Sequence, residues 1–222
     1  MPAQVKTAKP RKERVENAAK RRAQIIEATI DSINLHGLSG TTLATVAAQA
    51  GLSQGSAVFY FQTKEKLLVE TFRTHYEDYR KSWIKVFETP YDDPVAHVVD
   101  FVNVDLSEKI CSRRNLTLWY AFWGETQARP RFGEIAQEHD AERQRHLARL
   151  AKAAEAKMQA GAWTATTFAQ AADALTDGLW MALHMSSERS ARRKAREVLA
   201  QFLASVFPSH RDMICGVKAR RR

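Results

Sequence analysis

Apolar positions along the chain recur at helical spacing almost throughout. In residues 21–36, Ile25, Ile26, Thr29, Ile30 and Ile33 form one stripe, and Gly37 follows where a C-terminal cap belongs. Thr41 and Thr42 then offer N-capping hydroxyls to a short segment with Leu43, Val46, Ala47 and Ala50 at i, i+3, i+4 and i+7, which stops at Gly51. Ser53 can cap a second short helix over residues 54–61, and Thr63 a long one whose stripe is Leu67, Leu68, Phe72, Tyr76, Tyr79, Trp83 and Phe87. Pro90 and Pro94 end that helix. Further helical stretches are predicted over residues 95–110, 113–128, 131–160, 166–185 and 190–207, punctuated by Pro130, Gly161 and Pro208. Alternation with period two is missing, so the predicted fold is all-α, and no internal repeat stands out.

Charge then divides the chain. The net charge is +9, but residues 1–22 carry +6 and residues 211–222 carry +4, which leaves the body nearly neutral. The predicted organisation is a flexible basic tail (1–20), a small head (21–66), a helical body (67–207) and a second basic tail (208–222), the tails being able to reach phosphate or simply to solubilise. Cys111 and Cys215 stand in no metal-ligand spacing, and no run approaches a membrane span, so a reduced, cytoplasmic chain without membrane association is expected.

Residues 42–61 have the requirements of a helix-turn-helix: Ala47 where two helices cross, Gly51 for a left-handed turn, Leu52 as an apolar plug, and a second helix to enter the major groove. The predicted outward face is Gln54, Gly55, Ser56, Val58 and Tyr60, with Gln54 reading a base edge and Ser56 and Tyr60 holding phosphate. Thr42, Leu43, Ser53 and Lys64 complete the candidate DNA-contacting set. The pattern Thr42, Val46-Ala47, Ala50-Gly51-Leu52-Ser53, Gly55, Tyr60-Phe61, Lys64 and Leu67-Leu68 resembles the N-terminal signature of the TetR family of repressors. That resemblance implies a three-helix DNA-binding head, phosphate contacts from Tyr60 and Lys64, and a fourth helix leading into an effector-binding body. Val58 and Phe59 depart from the commonest version of the signature, which has tyrosine at the first of these positions.

The segments Trp119-Tyr120-Ala121-Phe122-Trp123 and Ala174-Leu175-Thr176-Asp177-Gly178-Leu179-Trp180 are similar to stretches in the C-terminal domain of BetI-type repressors, which control choline-to-glycine-betaine genes. Four rings within five residues are too many for one narrow stripe, which suits a cavity as well as a packed core. Trp119, Tyr120 and Trp123, with Trp180 and Phe101, are the candidate cage for a quaternary ammonium, and Glu125, Asp105 or Asp177 could balance its charge. The resemblance points to a choline-like effector, DNA operator and homodimer. Two apolar stripes, Phe168, Leu175, Leu179 and Leu183, then Val198, Leu199, Phe202, Leu203 and Val206, are the expected dimer face, paired in this family as a four-helix bundle.

Enzymatic alternatives find no support. No Glu-x-x-His or His-Glu-x-x-His pair, glycine-rich phosphate loop or nucleophile elbow is present, so no cofactor, metal or catalytic residue is expected. The competing reading is an architectural DNA-binding protein that uses its basic tails and has no effector.

Overall fold

The computed structural model describes residues 11–216, all helix and connecting turn with no strand among them. They form two compact units that divide after Phe72.

The first unit contains α1 (Arg11–Gly40), α2 (Leu43–Gln49), α3 (Gln54–Phe61) and the first turns of α4 (Lys64–Glu88). Helix α1 begins ten residues earlier than the expected start at residue 21. Residues 11–20 are mostly Arg, Lys, Glu and Ala, good helix formers that need no buried face, so the expected flexible tail is helical over this part; the remainder, residues 1–10, lies outside the described residues. At Gly37 the backbone turns to φ 68°, as a helix-ending glycine should, and residues 38–40 add one further turn. Ile25, Ile30, Ile33, Val46, Ala47, Ala57, Phe61, Leu67, Leu68 and Phe72 form this unit's core.

The second unit holds the rest of α4, then α5 (Pro94–Asn103), α6 (Arg113–Trp123), α7 (Pro130–Ala154), α8 (Ala165–Met185) and α9 (Ala191–Val206). Capping side chains fix most starts: Asp93 accepts from Val95 N, Ser112 from Asn115 N, and Thr164 forms a capping box with Thr167. Helix α7 packs against α5 and α8, and α8 against α9. The expected helix over 95–110 instead stops at Asn103, and a 3-10 turn, Val104–Leu106, replaces its second half. The Asp105 carbonyl explains the break: it accepts from Trp180 Nε1 and Cys111 Sγ, both at 2.8 Å, and so is not available to a helical amide. After α9 the expected C-terminal tail begins with a 3-10 turn (Pro208–His210) and one helical turn, α10 (Arg211–Ile214); residues 217–222 lie outside the described residues.

Candidate DNA-reading helix and ligand cavity

Helix α3 is held in place by its two ends. The turn before it runs through Gly51 at φ 64°, and the Ser53 side chain accepts from Ser56 N. After it, Arg22 of α1 donates to the Tyr60 carbonyl at 2.9 Å, pairs with Glu70 and lies 4.7 Å above the Phe61 ring. Ala57 and Phe61 are buried, so the opposite face is fixed: Gln54, Gly55, Val58 and Phe59 are exposed. Ser56 and Tyr60, expected outward, are half-buried, and Ser56 is engaged with Ser53 across 3.0 Å. Phe59 was not among the expected contacts, yet it is 77% exposed, beyond Val58 at 42%. It follows Gly55 by four residues on the same face, a relation that could have flagged it.

The remaining expected DNA contacts serve first as local structure. Thr42 is the N-cap of α2 and closes a capping box with Thr45, while Leu43 opens that helix half-buried. The Lys64 ammonium donates to the carbonyls of Leu38 at 2.7 Å and Ser39 at 3.1 Å, binding the start of α4 to the end of α1.

In the second unit a cavity of about 100 Å³ opens between α4, α6, α7 and α8. Trp119, Trp123 and Trp180 line it with ring centroids 5.3–6.0 Å apart and planes within 28° of each other. Tyr76 and Tyr79 close it from α4, each with its ring edge-on to Trp119. Trp123 Nε1 donates to the Tyr76 hydroxyl at 3.2 Å, and that hydroxyl donates to Asp140 at 3.4 Å. Behind Trp119, the His75 ring lies 4.2 Å away; burial lowers its pKa to about 4, so it is neutral.

The charged lining is four aspartates, Asp105, Asp140, Asp173 and Asp177, against one guanidinium, Arg143. Arg143 is 7% exposed and pairs with Asp105 at 2.5 Å and with Asp173, while Tyr79 donates to the other Asp105 oxygen at 2.6 Å. Burial acts to discharge Arg143, but these carboxylates outweigh it and hold its pKa above the ordinary value. Asp140 and Asp177, whose residues still reach solvent, are raised to about 6, chiefly by desolvation and then, after opposing hydrogen bonding at Asp140, by neighbouring aspartates.

The structure thus brings three of the five expected cage residues together and separates the other two. Phe101 is fully buried beneath the Arg143 guanidinium, 5.3 Å away, and Tyr120 turns aside to pack on His184 at 4.8 Å. Glu125 is engaged by Arg129 at 3.0 Å and does not line the cavity, whereas Asp105 and Asp177 do. On the expected dimer face, Leu175, Leu179, Leu183 and Phe202 are half-buried and Val198 is 49% exposed. Phe168, Leu199, Leu203 and Val206 instead belong to the interior: all four are fully buried, and Phe168 packs against Phe207 at 5.4 Å.

Comparison with known proteins agrees with both units. Residues 25–71 match the bacterial regulatory proteins of the tetR family, and residues 94–208 match the C-terminal domain of BetI-type transcriptional repressors. The HTH-type transcriptional regulator BetI of Burkholderia thailandensis is 34% identical over 161 residues, 72% of this chain and 80% of that protein. A transcriptional regulator from Pseudomonas aeruginosa has the same fold, with a TM-score of 0.73 and 21% identity over 88% of this chain and 94% of its own. So does a regulator from Saccharomonospora viridis solved in complex with choline, with a TM-score of 0.73 and 18% identity over 83% of this chain and 96% of its own. The chain belongs to the TetR family of transcriptional repressors and carries a BetI-type C-terminal domain.

Proposed function

We propose that this repressor binds a palindromic operator as a homodimer through α3, and that a small quaternary ammonium cation of the choline type, held in the second unit, alters its hold on DNA. The observation that carries the ligand is the cavity lining: three roughly parallel tryptophan rings beside four aspartates and a single guanidinium. An onium head over an aromatic face gains about 0.5 to 2 kcal/mol per good contact, most with tryptophan. Because Arg143 is already paired twice, the site offers an added anion little and an added cation the charge of Asp140 and Asp177. The Saccharomonospora viridis regulator, with the same fold, was solved with choline bound.

The dimer draws on a different surface. Helices α8 and α9 expose Met181, Met185 and Val198, with Leu175, Leu179 and Leu183 half-covered beside them, and Gly178 has open space around it. Such a face suits pairing with a second copy.

Calorimetry with the whole protein, comparing choline with its uncharged carbon isostere 3,3-dimethylbutan-1-ol, tests the ligand assignment. Choline is expected to bind at least about 30-fold tighter, the sum of two modest cation–π contacts, and Trp123→Ala to lose most of that difference. Equal binding of the two compounds would remove the cation from the proposal.

A further inference from the structure

Residues 37–63, which contain all of α2 and α3, include no Lys, Arg, Asp or Glu. This restricts what α3 can read. The side chains that recognise guanine with two hydrogen bonds are Arg and Lys, and those that accept from cytosine N4 are Asp and Glu. None of these is present. What the exposed face of α3 does offer is one carboxamide, Gln54, and an apolar patch of Val58 and Phe59. A carboxamide pairs with the N6/N7 edge of adenine, and the only apolar group on the floor of the major groove is the C5 methyl of thymine.

The exposure of Phe59 sharpens this. It projects from a helix whose opposite side is anchored by the buried Ala57 and Phe61, its ring touching Tyr60 edge-on at 5.1 Å. Among the described residues, only Val15, Leu35, Met181, Met185, Val198 and Met213 are comparably exposed large apolar side chains, besides Val58. An uncovered ring of this size in water is unfavourable unless a partner covers it.

We infer that α3 reads an A·T-centred half-site, with Gln54 on an adenine and Val58 and Phe59 against thymine methyl groups. This rests on the reading of α3 as the base-contacting helix. Phosphate attraction is then supplied from outside the helix-turn-helix, where the basic residues lie, and adds affinity without sequence preference.

The test begins with selection of binding sites from a random duplex library by the full-length protein. The selected half-site is then remade with uracil replacing thymine one position at a time, which deletes a methyl and keeps the base pair. The expected half-site has A·T pairs where α3 lies, and uracil weakens binding by the wild type about fourfold for each methyl contacted, the value of one buried methylene. Phe59→Ala should bind thymine and uracil duplexes alike at the position Phe59 covers, and Phe59→Leu should restore the difference; both should melt with the wild type because the ring supports no core. A half-site with invariant G·C pairs under α3, or uracil duplexes bound as tightly as thymine ones, overturns the inference while leaving α3 as a reading helix. If no sequence is enriched over random DNA, the reading of α3 as base-contacting falls with it.

Discussion

Asp140 and Asp177 make the cavity responsive to pH, and the sign can be worked out from their neighbours. Asp140 faces Tyr76 of α4, Arg143 of its own helix and the aspartates of α8, while Asp177 faces Asp173, Asp105 and Arg143; burial and the shared negative charge raise both to about 6. An aspartate in the unfolded chain titrates near about 3.9. The folded protein therefore holds extra protons between these values, and the associated stability, complete below the lower one, is lost as pH rises through about 6. A permanent cation in the cavity prefers both groups ionised. Choline affinity is accordingly expected to climb between pH 5 and pH 7 and then level, by about tenfold for each carboxyl whose pKa the ligand lowers by one unit. Calorimetry in buffers of different ionisation enthalpy should show proton release near pH 6; a flat profile, or proton uptake, would mean that these aspartates do not face the ligand. The two residues differ in legibility, and so do the others around them. Trp119 and Trp123, four apart, share a helix face, whereas Tyr120 between them points about 100° away. Helical spacings of three, four or seven likewise join Tyr76 with Tyr79, Asp140 with Arg143 and Gln144, and Asp173 with Thr176, Asp177 and Trp180. What spacing does not reveal is which charged residue is enclosed. Helix α7 is rich in Glu, Arg and His, and only its packing against α5 and α8 singles out Arg143.

At the scale of elements, turn chemistry was the most legible feature and polar helix the least. The α2–α3 connection was marked by Gly51 and Ser53, and both perform the local task their chemistry suggests: φ 64° at the glycine, and a hydroxyl accepting from Ser56 N. The first turns of α1 carry no apolar stripe, so periodicity gives no sign of them, although their side chains favour helix. The end of α5 was hidden for another reason: the competitor for the Asp105 carbonyl, Trp180, lies 75 residues further along the chain. These cases yield a prediction for the connection itself. Gly51→Ala places a Cβ in the left-handed region and should destabilise the first unit by about 1 to 2 kcal/mol; Ser53→Ala removes the cap of α3 and should cost about 1 kcal/mol. Denaturant melts of helical circular dichroism would measure both. Choline binding should persist, because no cavity residue lies in the first unit. A wild-type melt for Gly51→Ala would show that the turn is not left-handed in solution.

For the molecule as a whole, the proposed function depends on a second copy, and the burial pattern restricts where that copy can attach. Phe168 and Val206, although on the same helices as the expected dimer face, have no surface left to contribute, because the core of the second unit uses them. Helix α8 must bury one face inward, around Trp180 and Thr176, and leaves Met181 and Met185 uncovered; α9 buries Leu199 and Leu203 and leaves Val198 uncovered. A stable interface needs at least roughly 1,000 Å² with an apolar centre, and a carboxylate placed at that centre on both copies meets desolvation and like-charge repulsion together. Met181→Glu with Val198→Glu is therefore expected to convert a particle of about twice 25.1 kDa into one of 25.1 kDa by light scattering, without lowering the melting temperature of the separate chain. Operator binding should fall by about 100-fold or more, since two half-sites can no longer be held by one particle and the gain from bivalency disappears. Binding of choline at the cavity should survive in the monomer, all of whose lining comes from one chain. A double variant that keeps the mass of a pair would move the interface away from α8 and α9, and a wild type that scatters as a single chain at working concentrations would remove the dimer altogether.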